Sequence, residues 1–329
     1  MSNIDFILTW VDGNDPLWQK EYQKYVGEKK INFAHYREYG TLRYWFRAVE
    51  KYAPWVRKIH FVTCGQIPAW MNTENQKLHL VSHSDYMPEQ YLPTFSANPI
   101  ELNLHRIKGL SEQFVYFNDD TFLAAPVSED DFFLNGLPRD SLTLSALIPS
   151  VKDEVITYIL FNDLLLINAN FNKKSCMKNN LSKWFNMKYG RNIFKNLYYA
   201  PIGKFSGFVN PHLPNAFLKT TFEEVWAVEK EYLDKVSQHQ FRTKEDVNQY
   251  LMRYWQLVTG KFIPRSNDIG VCYTIGVDDS AIEYTVKSKN RKLLCINDNP
   301  MLEDIEFSEK WLVNLLEKCF PEKSTFEKW

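Results

Sequence analysis

Several absences narrow the reading of this 329-residue sequence before any motif does. Neither sign of charge dominates: 39 Lys and Arg face 40 Asp and Glu, a net charge of -1. No global field therefore draws the chain to nucleic acid or an anionic membrane, and any polyanion must be met by a local patch. Long apolar runs are missing too. The greasiest stretch, residues 155–167, is short and is interrupted by Thr157, Asn162 and Asp163, too little to cross a bilayer. No basic-then-apolar leader opens the chain, so the expectation is a soluble, cytoplasmic protein. Cys64, Cys176, Cys272, Cys295 and Cys319 form no CxxC pair, which argues against a disulfide framework or a thiolate zinc site and fits a reducing compartment. A Gly-rich phosphate loop, GxSxG and HExxH are all absent, so the corresponding nucleotide-hydrolase, serine-hydrolase and zinc-protease readings lose support.

What is present is a well-mixed, 45% hydrophobic and 16% aromatic composition, enough for a large core. IDFILTW (4–10) reads as a strand closed by the turn VDGNDP, after which Asp15 and Pro16 start a helix. Leu42, Phe46 and Val49 recur at helical spacing, and Pro54 ends that helix. KIHFVT (58–63) and LHLVS (78–82) are the next strands; Asn98 and Pro99 start a helix expected to end at Gly109, and the strand FVYFN follows. This alternation predicts an α/β fold: a mixed sheet flanked by helices, with ligands outside the carboxyl ends of the strands. The VDGND turn and the Asn118-Asp119-Asp120 cluster both occupy such ends.

Beyond residue 125 the alternation fades. Residues 126–210 mix short strand candidates with Asn/Lys-rich loops such as FNKKSCMKNN; 221–238 and 244–259 read as helices, GVCYTI and KLLCI as strands, and 306–318 as a last helix. The economical organisation is one catalytic unit over 1–329. It comprises an α/β core (1–125), a variable segment (126–210), and a mostly helical part with a C-terminal strand (211–329).

Adjacent carboxylates at a strand end suit an oxygen-loving divalent cation, which takes one or two carboxylates and fills its shell with water and substrate phosphates. A surface turn pair is the alternative. Asn297-Asp298, after KLLCI, repeats the pattern. Glu101, His105 and Lys108 fall on one face of the predicted 98–109 helix, where Glu101 and His105 could share a proton or merely form a solvated face. His212 lies between prolines in PHLP, a rigid setting for acid-base work or for structure alone. Arg242 could clamp a phosphate, or pair on the surface with Glu245 or Asp246.

Taken together, IDFILTWVDGNDPLW, LRYWFRAVEKYAPWVRKIHFVTCGQIPAWMN and LPTFSANPIELNLHRIKGLSEQFVYFNDDTF closely resemble the first two regions of the Stealth family. PHLPNAF through FRTKED resembles the third and LLCINDN the fourth. The resemblance implies a GT-A-like (Rossmann-like) core that transfers a sugar-1-phosphate from a UDP-sugar to a saccharide hydroxyl, releasing UMP, in capsule or exopolysaccharide synthesis. It carries catalytic roles onto Glu101, Asp119, Asp120, His212 and Arg242. Trp10, Asp12, Gly13, Arg43 and Asn118 are expected at the donor, and Asp120 with Asp298 at Mg²⁺ or Mn²⁺. His212 or Glu101 would take the acceptor proton. A lipid-linked saccharide acceptor and peripheral membrane contact are expected, with no nucleic acid. Arg37-Glu38 in place of Arg-Asp, Cys64 in place of an acid or amide, and SANPIE in place of SSPAIE depart from the family pattern and bear on donor preference. Rival readings are a metal-dependent glycosyltransferase releasing UDP and a non-catalytic sugar-binding protein.

Overall fold

The computed structural model describes residues 3–26, 36–149 and 154–328. Its strands are β1 (Ile4–Thr9), β2 (Ile59–Thr63), β3 (Leu78–Ser82), β4 (Gln113–Phe117), β5 (Thr121–Leu123), β6 (Phe133–Leu134), β7 (Leu137–Asp140), β8 (Asn215–Leu218), β9 (Ile263–Pro264), β10 (Gly270–Thr274) and β11 (Leu293–Asn297). The main sheet has the order β3-β2-β1-β4-β8, with β8 antiparallel to β4 and the other pairs parallel. A second sheet runs β10-β11-β5, with β5 antiparallel to β11. The mixed sheet expected from the sequence is therefore present.

β1 and β4 are apolar almost throughout because both faces of the main sheet are covered. Alternate side chains serve two cores: Phe6, Leu8, Val115 and Phe117 enter one, Ile7, Phe114 and Tyr116 the other. The helices Leu42–Tyr52 and Ile305–Cys319 cover the first face through Trp45, Phe46, Leu312 and Leu316. The helices Val155–Asn170, Lys219–Val228 and Tyr250–Thr259 cover the second through Ile167, Phe222, Leu251 and Leu257. No helix of the described residues is long and apolar enough to cross a membrane.

The chain passes from the main sheet to the second sheet through only Asn118, Asp119 and Asp120, which lie between β4 and β5. The Asn118 carbonyl accepts the Thr121 N–H at 3.0 Å, and the Asp120 carbonyl accepts that of Ile296, on β11, at 2.8 Å. The acid cluster is thus pinned between two sheets.

Four sequence expectations change. The helix expected from Asn98 to Gly109 is Ala97–Leu102 followed by the 3₁₀ turn Leu104–Arg106, with Ser96 rather than Asn98 as the N-cap. Asn103 breaks it: its side-chain amide donates to the Pro99 carbonyl at 2.9 Å and to the Ser237 hydroxyl at 3.1 Å, the kind of local competition that ends helices. Glu101 and His105 consequently part, and His105 is buried against the rings of Phe222 and Trp226, both at 5.9 Å. Residues 221–238 are two helices, Lys219–Val228 and Lys230–Ser237, meeting at Glu229, and the helix expected at 244–259 begins only at Tyr250. FNKKSCMKNN, expected as loop, contains the helix Lys173–Asn179, capped by Asn172, whose side chain accepts the Ser175 N–H at 3.1 Å.

Arg253 is 1% exposed and forks onto Asp140 at 2.7 and 2.8 Å, while its remaining nitrogens reach the Val209 and Ser141 carbonyls and Asn210. It fixes the strand end of β7 against the segment leading to His212. Replacing Arg253 by Met strands a buried carboxylate and is expected to cost about 3–5 kcal/mol. In urea denaturation, Arg253→Met combined with Asp140→Leu should recover part of that loss; no recovery would show the pair is not the source.

Candidate active site

A cleft of about 730 Å³ opens over the carboxyl ends of β1, β4 and β11, a volume within the range of small-molecule sites. Glu101, Asn118, Asp119, Asp120, His212 and Asp298 line it, with Arg37 and Arg242 contributing cations. Tyr36, Phe95 and Phe241 supply an aromatic wall in which Phe95 and Phe241 stack with centroids 5.5 Å apart and planes at 16°. Such a wall offers flat faces to a base or a sugar ring.

Asp120 meets His212 Nε2 through Oδ2 at 2.9 Å. His212 has φ 43°, a left-handed backbone that a non-glycine residue adopts only under constraint; Pro211 and Pro214 stiffen the segment. Burial disfavours the imidazolium, but the hydrogen bond and charge of Asp120 outweigh it and raise the His212 pKa to about 9. Burial and the neighbouring charges of Asp120 and Glu38 push Asp119 up to about 7.

Glu101 is 5% exposed. It accepts the Tyr116 hydroxyl at 3.1 Å and the Gln249 N–H at 3.2 Å, and Tyr116 in turn meets the Thr9 hydroxyl at 3.0 Å. Burial raises its pKa to about 7, with those hydrogen bonds offsetting part of the effect. A carboxyl poised there can take or give a proton near neutrality.

Arg242 is presented by a loop locked from beneath. Asp246, fully buried, accepts from the Asn98 amide at 2.7 Å and the Thr243 N–H at 3.1 Å and pairs with His239 at 2.6 Å. The Phe95 N–H also donates to the Gln240 carbonyl at 2.8 Å. With Asp246 so engaged and Glu245 paired to Lys235, the alternative of a surface ion pair for Arg242 is not formed. Among the described residues no carboxylate lies within ion-pair distance of Arg242, and its guanidinium is exposed at the cleft.

The groups able to hold a cation are unevenly placed. Asp120 Oδ1 and Asn118 Oδ1 are buried acceptors with no hydrogen-bond partner among the described residues, a mismatch a cation would relieve. Oxygen, nitrogen and sulfur atoms of Asp120, His212 and Cys295 lie within 4.8 Å of one another. Asp298 lines the same cleft, but its carboxylate is held by Arg37 at 3.0 Å and by the Tyr39 hydroxyl.

The expected donor residues divide. Trp10 and Asn118 line the cleft. Asp12, Gly13 and Arg43 are not among its lining residues. Asp12 accepts the Asn14 N–H at 2.9 Å and shapes the turn; a Cβ at Gly13 would sit 2.4 Å from the Tyr36 carbonyl oxygen. Arg43 stacks on Trp70 at 5.4 Å and faces Glu327. Phe241, Phe95, Tyr36 and Tyr39 carry no expectation from the sequence, and Arg37 enters there only within the Arg37-Glu38 departure from the family pattern. The neighbouring Arg242 was the available pointer to Phe241, whereas the others need the fold.

The region descriptions of known families match here: Stealth protein CR1, conserved region 1, over residues 2–30, and CR2, conserved region 2, over 35–140. The capsular polysaccharide phosphotransferase WcwK of Streptococcus pneumoniae is 42% identical over 333 residues, covering 100% of this chain and 99% of its own. The chain belongs to the Stealth family. Other Stealth relatives include the exopolysaccharide phosphotransferase cps2G of Lactiplantibacillus plantarum, 40% identical over 99% of this chain and 96% of its own. The receptor polysaccharide phosphotransferase WefC of Streptococcus oralis is 38% identical over 99% and 100%. Stealth membership makes the chain a transferase. Among solved structures, the galactosyltransferase LgtC in complex with donor and acceptor sugar analogues has a TM-score of 0.41 at 11% identity over 95% of each chain.

In metal-free protein, NMR titration of the His212 imidazole should give a midpoint near 9. In Asp120→Asn the midpoint should fall to the ordinary histidine range or below, because the remaining burial favours the neutral ring. A midpoint unmoved by that change would show that Asp120 does not set it.

Proposed function

We propose that the chain transfers a sugar-1-phosphate from a UDP-sugar to a hydroxyl of a saccharide acceptor, forming a phosphodiester and releasing UMP, during capsule or exopolysaccharide synthesis in the cytoplasm. The observation that carries this reading is the convergence of Asp119 and Asp120, Arg242, His212 and Glu101 on one cleft. Full-length similarity to polysaccharide phosphotransferases supports the reaction class.

The acceptor oxygen attacks the sugar-bearing phosphorus, and the bond from that phosphorus to the oxygen bridging it to UMP breaks. Positioning and charge neutralisation supply most of the acceleration in such a transfer. Arg242, free of carboxylate partners in the described residues, faces the non-bridging oxygens with its planar fork. Glu101 receives the acceptor proton: its pKa of about 7 lets it do so near neutrality. His212, held cationic by Asp120, adds positive charge to the floor. Phe95 and Phe241 pack against the donor's rings.

Mg²⁺ or Mn²⁺ fits at Asp120 and Asn118, whose orphaned Oδ1 atoms would hold it, and it would supply neutralisation of the diphosphate and of departing UMP. Asp298 joins as a ligand only by giving up Arg37 and Tyr39; in this conformation it instead anchors Arg37 beside the cleft.

Incubation with a panel of UDP-sugars, saccharide acceptors and Mg²⁺, followed by identification of the nucleotide released, tests the reading. UMP with phosphorus in the product is expected; UDP with none would favour a glycosyltransferase, and binding without turnover a sugar-binding protein. Arg242→Lys should lower kcat/KM by about 100-fold, since a point charge cannot reproduce a fork contact. For Glu101→Gln the limb of the pH–rate profile near 7 should vanish; its survival would move the base to His212.

A further inference from the structure

Away from the cleft, one part of the surface has a composition unlike the rest. Residues 171–204 contain eight Lys and Arg and no Asp or Glu. Lys174, Lys178, Lys188, Arg191, Lys195 and Lys204 are exposed, and none forms an ion pair among the described residues. Elsewhere acids are interspersed with the lysines, and several pair with them: Lys24 with Glu21, Lys235 with Glu245, Lys261 with Glu224, Lys287 with Glu283 and Lys310 with Glu306. The balanced total charge therefore conceals a cationic face.

The same segment exposes large apolar side chains. Met187 is 83% exposed, Tyr198 75% and Phe194 67%, joined by Leu181, Leu197 and Ile202. Its backbone is firmly supported. Asn196, fully buried, donates to the Leu142 and Trp184 carbonyls and accepts the Leu144 N–H, each at 2.7 Å, and buried Lys173 caps the Tyr199 and Ile202 carbonyls. Helix Val155–Asn170, tied to this segment where Lys204 donates to the Asn168 carbonyl at 2.9 Å, likewise exposes Phe161 and Leu165. A monomer gains nothing in water by displaying so much apolar surface.

We propose that the face formed by residues 171–204 docks on the surface of a bilayer containing anionic phospholipid. Cationic side chains meet the headgroups, while Met187, Phe194, Leu197 and Tyr198 enter the boundary between headgroups and acyl chains. Charge complementarity selects this occupant: a polynucleotide has no use for exposed Met187, Leu181 and Ile202, and a second copy of the same face would oppose like charges. Docking also sets the cleft beside the membrane. The N-terminal turn of helix Val155–Asn170 lines the cleft through Glu154, Val155 and Ile156, and the Asn162 amide donates to the Lys244 and Asp246 carbonyls of the Arg242 loop, both at 2.9 Å. An acceptor carried on a lipid would then be delivered where transfer occurs. That last clause rests on the proposed function; the docking itself does not.

Cosedimentation of the full chain with phosphatidylglycerol-containing vesicles and with pure phosphatidylcholine vesicles, at low and high salt, tests the proposal without any turnover. Binding to the anionic vesicles should be at least tenfold stronger and should weaken with salt. Lys188→Gln/Arg191→Gln/Lys195→Gln should reduce it tenfold or more, and so should Met187→Ser/Phe194→Ser/Tyr198→Ser. All six positions are exposed, so circular dichroism and thermal unfolding should match those of the parent. Equal binding to neutral vesicles, no binding at all, or binding indifferent to both triple changes would overturn the proposal. A concentration-dependent dimer by light scattering that is abolished by the apolar triple change, with no vesicle binding, would overturn it in favour of self-association.

Discussion

Asp120 is the point at which distant parts of the sequence are made to meet. Its backbone carbonyl accepts from Ile296 on β11, and its Oδ2 accepts from His212, while Oδ1 is left unmatched toward the cleft. Each contact crosses between elements far apart in the chain. The main sheet delivers the residue through β4, the second sheet receives it through β5, and the Pro-flanked segment before β8 supplies the histidine. A carboxylate so placed is expensive to bury without a cationic partner. His212 provides one, and the unmatched oxygen leaves room for another.

The surrounding electrostatics follow from that crowding. Glu38, Asp119 and Asp120 share one wall, and Asp119 responds by holding its proton to about 7. Glu101 reaches a similar value, again with burial as the largest cause, offset by the Gln249 N–H, the Tyr116 hydroxyl and the charges of Arg242 and His212. At Asp119 the like charges of Asp120 and Glu38 add to burial, whereas at Glu101 the charges of Arg242 and His212 oppose it. A cation held at Asp120 would lower the neighbouring Asp119 through direct charge.

Local physics made much of this legible in the sequence. β1 to β4 and their helices announce themselves by period and by turn residues, and the acids stand out because an apolar strand stops abruptly at Asn118. Glu101, Asp119, Asp120, His212, Arg242 and Asp298 do share one cleft. Of the expected donor residues, Asp12, Gly13 and Arg43 lie outside the cleft lining, in a strand-end turn and on a helix where turn closure, backbone packing and ion pairing engage them. Neither the break at Asn103 nor the aromatic wall could be read locally. The first depends on Ser237, more than a hundred positions away, and the second on loops distant in sequence that are joined by the Phe95 to Gln240 and Asn98 to Asp246 hydrogen bonds.

The polar interruption at Asn162 and Asp163, which shortens the one greasy stretch of the chain, acquires a structural reason. Asn162 holds the carbonyls of Lys244 and Asp246, and Asp163, fully buried, accepts the Asn248 N–H at 3.2 Å. Burial pushes the Asp163 carboxyl well above its usual range. These two side chains clamp the Arg242 loop on one side while Asn98, through Asp246, holds it on the other. A helix that packed only by apolar contact could slide or rotate against the loop with little penalty; directional hydrogen bonds to named carbonyls cannot tolerate that. The two polar residues therefore cost the helix some apolar continuity and in exchange set the cleft-lining Arg242 relative to the helical layer that carries the cationic face.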